Sequence, residues 1–320
     1  MTSKMQLWRS LDAVRIDLPV ALTIGAFDGI HAGHRHLIRS TTAAAARLGG
    51  VSAVLTFDPH PDLILYPERE RLSLTSLEDR EMLIRALDVD HMIVLPFSST
   101  LAGLSAEAFM AELCGHVNLR ELWVGPDFRL GAGGRGTVPV LDQIGRERNF
   151  EVHQVERFEL AGHAVSSTLI RRMLADGDVV SAARLLERPY SFTGEVVQGD
   201  QRGRTIGFPT ANIAAPAGLV VPGDGVYACH VQLSDGEAWL PAVTNIGVRP
   251  TFGALKRTVE AHLLDWSGDL YGRAIRVAFV ERLRPEQKFG GIEALVAQIR
   301  ADAAAARAVL AATTPTVSTG

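Results

Sequence analysis

The chain is poor in cysteine, in long apolar runs and in excess charge of either sign. Its 320 residues include only 2 cysteines, Cys114 and Cys229, far apart in sequence. That excludes a disulfide framework and a cysteine-based zinc site, and fits a reducing cytoplasmic setting with buried thiols. No apolar run approaches the ~18 residues that a membrane helix needs. The first residues carry Arg9, Asp12, Arg15 and Asp17 and lack the unbroken core of a signal peptide. The formal net charge is −4, so no long-range field gathers nucleic acid, although local basic clusters can still hold a polyphosphate. No internal repeat is present. Apolar residues, in contrast, make up 47% of the chain, enough for real cores, and the length predicts about two domains.

The first half alternates strand-like runs (residues 21–25, 51–57, 91–95, 121–125 and 151–155) with helix-like stretches (34–48, 76–88, 105–116 and 139–148). Such alternation predicts an α/β, Rossmann-like parallel sheet with helices on both faces, whose ligands sit at the C-terminal strand ends. The texture changes near Glu187. Short β-rich runs follow at 191–197, 225–233, 238–245, 258–264 and 274–280, separated by glycine, proline and aspartate. They predict a small antiparallel β-barrel or sandwich. A closing helix from Ile292 to about Leu310 is expected to pack on this second domain through Ile292, Leu295, Val296, Ile299 and Leu310. The expected domains are therefore 1–186 and 187–310, with 311–320 as a loose tail.

One turn stands out. The apolar run 19–24 leads into Gly25-Ala-Phe-Asp-Gly-Ile-His-Ala-Gly-His34 and then a helix. A strand, a glycine-rich turn and a helix N-terminus aim backbone N–H groups at one point, which suits a phosphate. His31 and His34 share one side of the first helical turn. Gly33 admits close backbone approach, and imidazole can donate to a phosphate oxygen.

Three further constellations carry chemistry. In Val165-Ser-Ser-Thr-Leu-Ile-Arg171 the hydroxyls of Ser167 and Thr168 head a helix, with Arg171 one turn on. That is either an ordinary capped helix or a holder for a triphosphate or a leaving pyrophosphate. In 199–212, Gly199, Gly203 and Gly207 with Arg202, Arg204 and Pro209 form a candidate cradle for ATP phosphates, without the Gly-Lys-Ser/Thr of a Walker loop. Thr210 and Asn212, two apart, offer neutral oxygens that suit Mg²⁺ shared with substrate phosphates. In Thr258-Val-Glu-Ala-His-Leu-Leu264, strict alternation puts Thr258, Glu260 and His262 on one face and Val259, Ala261 and Leu263 on the other. Glu260 near a phosphate loop is a candidate base for a substrate hydroxyl. Gly131-Ala-Gly-Gly-Arg-Gly136 matches the dinucleotide pattern GxGxxG, but it begins six residues past the end of the preceding strand-like run rather than opening from it.

Taken in order, these motifs resemble the prokaryotic bifunctional riboflavin kinase/FMN adenylyltransferase family, the FAD synthetases. GxFDGxHxGH, FxPHP, GxDFRxG and SSTxIR lie in the first half. RPY, GRTxGFPTAN, NIGxRPTF, VExHLLD, DLYG and RPExKF lie in the second. The resemblance runs from about Ala21 to Arg307. It implies that the C-terminal domain phosphorylates riboflavin with ATP to give FMN and ADP, and that the N-terminal domain adenylylates FMN with a second ATP to give FAD and pyrophosphate. It implies catalytic roles for Glu260, His31 and His34. It makes Gly25, Phe27, Asp28, Gly33, Ser167, Thr168 and Arg171 ATP- and phosphate-binding, and Asp127 and Phe128 flavin-binding, Phe128 either stacking on the flavin or packing in the core. It makes Gly199, Gly203, Arg204, Gly207, Pro209, Thr210 and Asn212 ATP-binding in the kinase, with Thr210 and Asn212 at the metal. Mg²⁺ and ATP are then required and no tightly bound redox cofactor is. The partners are riboflavin, FMN, FAD, ATP, ADP and pyrophosphate, with no nucleic acid and no membrane, on a monomer or weak oligomer. Two other readings keep part of the pattern: a riboflavin kinase with an impaired N-terminal domain, and a flavin-binding regulator built on a retired enzyme. The second should have lost phosphate or metal groups, yet His34, Thr210, Asn212 and Glu260 all stand.

Overall fold

The computed structural model describes residues 5–160, 162–199, 203, 206–233, 238–251 and 254–313. The chain divides into two compact units between Ser166 and Ser167.

The first unit is built on a six-stranded sheet. Its strands are β1 (Gln6–Trp8), β2 (Ile16–Ile24), β3 (Val51–Asp58), β4 (His91–Pro96), β5 (Val117–Val124) and β6 (Glu151–Gln154), followed by a separate two-stranded ribbon, β7 (Glu159–Leu160) and β8 (His163–Ala164). The helices are α1 (Ala32–Leu48), α2 (Pro61–Leu65), α3 (Leu77–Arg85), α4 (Ser99–Ala102), α5 (Ala106–His116) and α6 (Val138–Arg148). Strand order is β1-β4-β3-β2-β5-β6, and every pairing is parallel. Because strand side chains alternate, each strand feeds two layers. Val54, Met92 and Val94 pack with Leu37 and Ile38 of α1 and Leu83 and Ile84 of α3. Ala53, Leu55, Ile93 and Leu95 pack with Phe109 and Leu113 of α5 and Leu141 and Ile144 of α6. Helix-starting serines fix the boundaries: Ser76 Oγ accepts from Asp79 N at 3.0 Å and Ser105 Oγ from Ala108 N at 3.1 Å. β1 was not expected from the sequence, because three residues paired only with β4 carry little pattern.

The second unit opens with α7 (Ser167–Ala175) and α8 (Val179–Leu186) and continues as six strands: β9 (Tyr190–Val197), β10 (Ala211–Ala214), β11 (Gly225–Leu233), β12 (Trp239–Thr251), β13 (Ala254–Leu263) and β14 (Ala274–Arg284). They close into a barrel in the order β10-β13-β12-β11-β14-β9, antiparallel throughout. Tyr190, Phe192, Tyr227 and Phe279 pack ring on ring inside it. The last helix, α9 (Ile292–Ala311), covers part of the outer surface. Its packing differs from the expected stripe. Ile292 is 68% exposed, and the buried contacts come from Ala303, Ala306 and Leu310 on Ala228, Val243 and Val280. Alanine lets the helix lie close to the strands, so the small residues make the interface. A buried ion pair fixes the helix to the end of β14: Arg284 Nη2 and Nε donate to Asp302 at 2.8 and 3.0 Å.

Residues 167–186, read from sequence as the end of the first domain, lie in the same compact unit as the barrel. Val179, Ala182, Leu185 and Leu186 of α8 are fully or almost fully buried. The α7–α8 turn is held tightly: Gly223 N donates to Leu174 O at 2.7 Å, and a Cβ on Gly177 would stand 2.9 Å from the Tyr227 hydroxyl. A fragment starting at 167 is therefore expected to be more stable than one starting at 187. Each large side chain stripped from α8 contributes ~1.5–3 kcal/mol of burial, so the difference should be several kcal/mol in urea unfolding. Equal denaturation midpoints would show that α8 adds nothing to the barrel.

Candidate functional site

The strand order reverses at β2: β3 and β4 lie on one side of it, β5 and β6 on the other. Ligands of open α/β sheets bind outside the carboxyl ends of strands at such a reversal. Here the two loops at that point are 25–31 after β2 and 125–137 after β5.

The first loop is wound tightly. Phe27, Gly29 and Ile30 all have positive φ, at 49°, 88° and 40°. For Phe and Ile this is a strained backbone, held because both side chains are buried in the core beside Leu37 and Ile38. Asp28 anchors the loop from inside. Its carboxylate accepts from Leu74 N at 2.8 Å and from Thr75 N at 3.2 Å, while Gly29 N donates to Thr75 Oγ1 at 3.0 Å. Asp28, 3% exposed, is thus a structural anchor whose oxygens face the protein. Gly25 leaves room for the Phe27 ring, which a Cβ there would meet at 3.1 Å.

His31 is the N-cap of α1, and its Nδ1 accepts from His34 N at 3.2 Å. A capping Nδ1 has no proton, so the neutral ring carries its proton on Nε2. The two imidazoles stack with centroids 3.6 Å apart, and Phe27 meets His34 edge-on at 5.3 Å. Burial first, and the neighbouring His31 second, push His34 well below the ordinary histidine pKa. Its Nδ1 is buried with no hydrogen-bond partner. Gly33 is required by the His31 ring, which a Cβ would meet at 3.3 Å. The result is a helix N-terminus with stacked imidazoles, both suited to hydrogen-bond an anion.

Two arginines that sequence reading passed over tie this loop to its surroundings. Arg80, on α3 and 5% exposed, donates from Nη1 to Ala26 O at 3.0 Å, Phe57 O at 3.0 Å and Thr56 Oγ1 at 3.2 Å. Burial lowers its pKa, while Asp28, Asp58 and Glu78 oppose that shift. Arg71 lies between the FxPHP turn and Asp28. Its Nη2 is 2.8 Å from His60 Nε2 and 4.0 Å from Asp28 Oδ2, and its Nη1 pairs with Asp62. Neither arginine belongs to a motif, and only the folded chain brings them to the loop.

After β5, Asp127 accepts two bonds from Arg157 Nη2, at 2.8 and 2.7 Å, and Pro126 O accepts from Gln154 Nε2 at 2.9 Å. Phe128 is half-buried against the first core. The GxGxxG match at 131–136 forms a 3₁₀ turn, Ala132–Gly134, closed by a bridge between Leu130 and Gly136. It does not run from strand straight into helix, which removes the dinucleotide reading. Ser167, Thr168 and Arg171 stand in the first two turns of α7, in the second unit.

In the barrel, register sets the site. Asn212 is opposite Glu260, and Glu260 is opposite Asn245, on three neighbouring strands. Opposed residues of an antiparallel pair share a face. Val259, Ala261 and Leu263, 2%, 0% and 5% exposed, face inward, which leaves Glu260 and His262 on the outer face. Two cavities lie nearby. One, of about 350 Å³, is lined by Glu260, His262 and Asn245 together with Val243, Phe289, Leu295 and Ile299. The other, of about 260 Å³, is lined by Pro209, Thr210 and the 266–271 turn. Thr210 lines both. A Cβ on Gly199 would sit 2.2 Å from Asn212 Nδ2, so this glycine makes room for the Asn212 amide. A Cβ on Gly203 would collide with Phe208 O at 2.3 Å. Gly207 has φ 85°, and Arg204 lies outside the described residues. Glu286, part of the RPExKF motif but given no role from sequence, lies over Gly247, where a Cβ would meet its Oε1 at 1.9 Å; it accepts from Asn245 Nδ2 at 3.4 Å. Among the described residues, no cluster of His, Cys, Asp and Glu could hold a metal ion, so any metal here relies on neutral donors and on the substrate.

Residues 14–169 match the family profile described as FAD synthetase, and residues 186–310 match riboflavin kinase. The bifunctional riboflavin kinase/FMN adenylyltransferase of Pseudomonas fluorescens is 40% identical over 96% of this chain and 98% of its own length. Its namesake from Escherichia coli K12 is 39% identical over 92% and 94%. A crystal structure described as a macrolide-efflux protein from Streptococcus pneumoniae superposes with a TM-score of 0.86 at 30% identity, covering 95% of this chain and 99% of that one. Among the described residues no helix is long and apolar enough to cross a membrane.

The depressed pKa of His34 has a consequence for stability. The unfolded chain takes up this proton near the ordinary value of ~6.5, whereas the folded chain resists it. Below that pH the unfolded state binds more protons, so stability falls as pH falls toward the folded pKa. Half-buried His91, its pKa lowered by desolvation, acts in the same direction. His34→Gln should therefore lose less Tm than the parent chain between about pH 7.5 and about pH 5.5. Identical losses in the two proteins would show that His34 titrates normally in the fold.

Proposed function

This chain belongs to the bifunctional riboflavin kinase/FMN adenylyltransferase family, and on that premise we propose how its residues divide the work. The chain phosphorylates riboflavin with ATP to give FMN and ADP, and adenylylates FMN with a second ATP to give FAD and pyrophosphate.

The kinase half rests on one observation: Thr210 lines both an apolar cavity that holds Glu260 and a second, more polar one. Val243, Phe289, Leu295 and Ile299 suit the flat, largely apolar ring of the flavin. The 266–271 turn and the 199–210 loop take ATP. Glu260 then faces the ribityl hydroxyl, orients it and accepts its proton as the γ-phosphate is transferred. The neutral oxygens of Thr210 and Asn212, the latter seated in the space that Gly199 leaves, fit a hard cation that keeps water and phosphate ligands. Bound there, Mg²⁺ would supply charge neutralisation on the transferring phosphates.

In the first unit the reacting groups are all phosphates. An FMN phosphate oxygen attacks the α-phosphorus of ATP, and pyrophosphate leaves. The N-terminus of α1, His31 through Nε2–H and His34 hydrogen-bond the phosphates as charge moves onto the leaving group. The lowered pKa of His34 makes it a neutral donor at working pH. The family pattern assigns pyrophosphate binding to Ser167, Thr168 and Arg171, which belong to the second unit, and flavin binding to the loop of Asp127 and Phe128. A monomer or weak oligomer acting in the cytoplasm suffices for both steps, and Cys114 and Cys229, both unpaired, suit that compartment.

The test is a chromatographic time course with riboflavin, ATP and Mg²⁺. The parent chain should accumulate FMN and then FAD. Glu260→Ala should lower FMN formation by at least ~100-fold and leave FAD formation from supplied FMN intact; His34→Ala should do the reverse. Equal loss of both steps in either variant would overturn the two-site division.

A further inference from the structure

The chain segment 208–210 has to hold Thr210 where it lines both cavities, and the barrel supplies one side chain that does so from a neighbouring strand. His262 lies on β13 two residues beyond Glu260, on the same outer face. Its Nδ1 is 2.8 Å from Pro209 O. A carbonyl only accepts, so Nδ1 carries the proton and the ring donates. Phe208 meets the imidazole edge-on, with centroids 5.5 Å apart and planes at 76°. The residue before Thr210 is thus clamped through its carbonyl, and its own ring already fixes φ. Neutral and protonated imidazole both offer Nδ1–H, so the clamp does not depend on the charge of His262.

We propose that His262 is a positioning residue of the kinase: its Nδ1–H holds the Pro209 carbonyl and so keeps Thr210 in line with Glu260. The inference rests on the assignment of riboflavin phosphorylation to this barrel. Phosphoryl transfer depends on placement more than on covalent chemistry, and a displacement of about 1 Å can cost up to ~100-fold in rate. His262 touches a main-chain oxygen, not the reacting atoms, and its loss should appear in kcat.

Asparagine and glutamine separate this role from simple lining of the cavity. The Asn Nδ2 reaches the position of imidazole Nδ1, whereas Gln Nε2 reaches that of Nε2. In the full-length chain, His262→Asn should keep the kcat for FMN formation within ~3-fold, while His262→Gln and His262→Ala should lose ~10-fold or more. FAD formation from supplied FMN should be unchanged in all three. Equal loss in Asn and Gln, better activity in Gln than in Asn, or full activity in Ala would each overturn the proposal. If the alanine variant fails to fold, the Asn–Gln pair alone decides. If the parent chain makes no FMN, the assignment of the barrel has failed rather than the role of His262.

Discussion

The two-residue period of the β-strand governs both halves of this molecule. In the first unit, successive residues of β3 and β4 go to opposite helical layers, so one short apolar run serves two cores. In the barrel the same period sends Val259, Ala261 and Leu263 inward and leaves Glu260 and His262 outside. A slip of one residue in β13 would bury a carboxylate among aromatic rings and expose three apolar side chains. The inner residues thereby hold the register that brings Glu260 beside Asn212 and Asn245. Catalytic placement and core packing are one constraint here.

That constraint explains what could be read from the sequence. The sheet strands, the two-layer arrangement and the face on which Glu260 stands follow from alternation and helical period alone. The glycine-rich turn with its histidines also announces itself, because strand, glycines and helix start form a contiguous pattern. The parts that escaped are non-contiguous. Arg80 and Arg71 reach the phosphate loop from 54 and 43 residues away in sequence through contacts that no local pattern marks. Asp28, whose motif position suggests a ligand role, turns its carboxylate into the protein to satisfy the backbone at 74–75. β10 spans only four residues and owes its existence to β9 and β13 on either side. In α9 Leu310 of the expected stripe is buried while Ile292 is exposed, and Ala303 and Ala306, which count little in a search for apolar stripes, complete the contact.

The two proposed phosphate sites solve one electrostatic problem in different ways. A site for several phosphates needs many donors, but free cations packed together would repel one another before the substrate arrives. In the first unit the proposed donors are the backbone N–H groups of a helix start and His34, whose pKa burial lowers. The positive charges near the loop, buried Arg80 and half-buried Arg71, bind carbonyls, a hydroxyl and carboxylates of the protein, and so shape the loop. In the barrel the residues opposite Glu260 are two amides, Asn212 and Asn245, and the Asn212 side chain occupies space that a Cβ on Gly199 would fill.

Strain follows the same division. Phe27 and Ile30 keep left-handed backbones that cost of order 1–3 kcal/mol each. Such conformations persist only when their surroundings over-determine them, and both rest on buried side chains packed against α1. The turn is therefore held from three sides: by apolar packing beneath it, by Asp28 against residues 74 and 75, and by Arg80 on Ala26 O. None of these groups needs to touch a phosphate for the turn to keep its shape. The start of α1 keeps the donors that a helix N-terminus offers an anion, while the shape of the turn is held by these other residues.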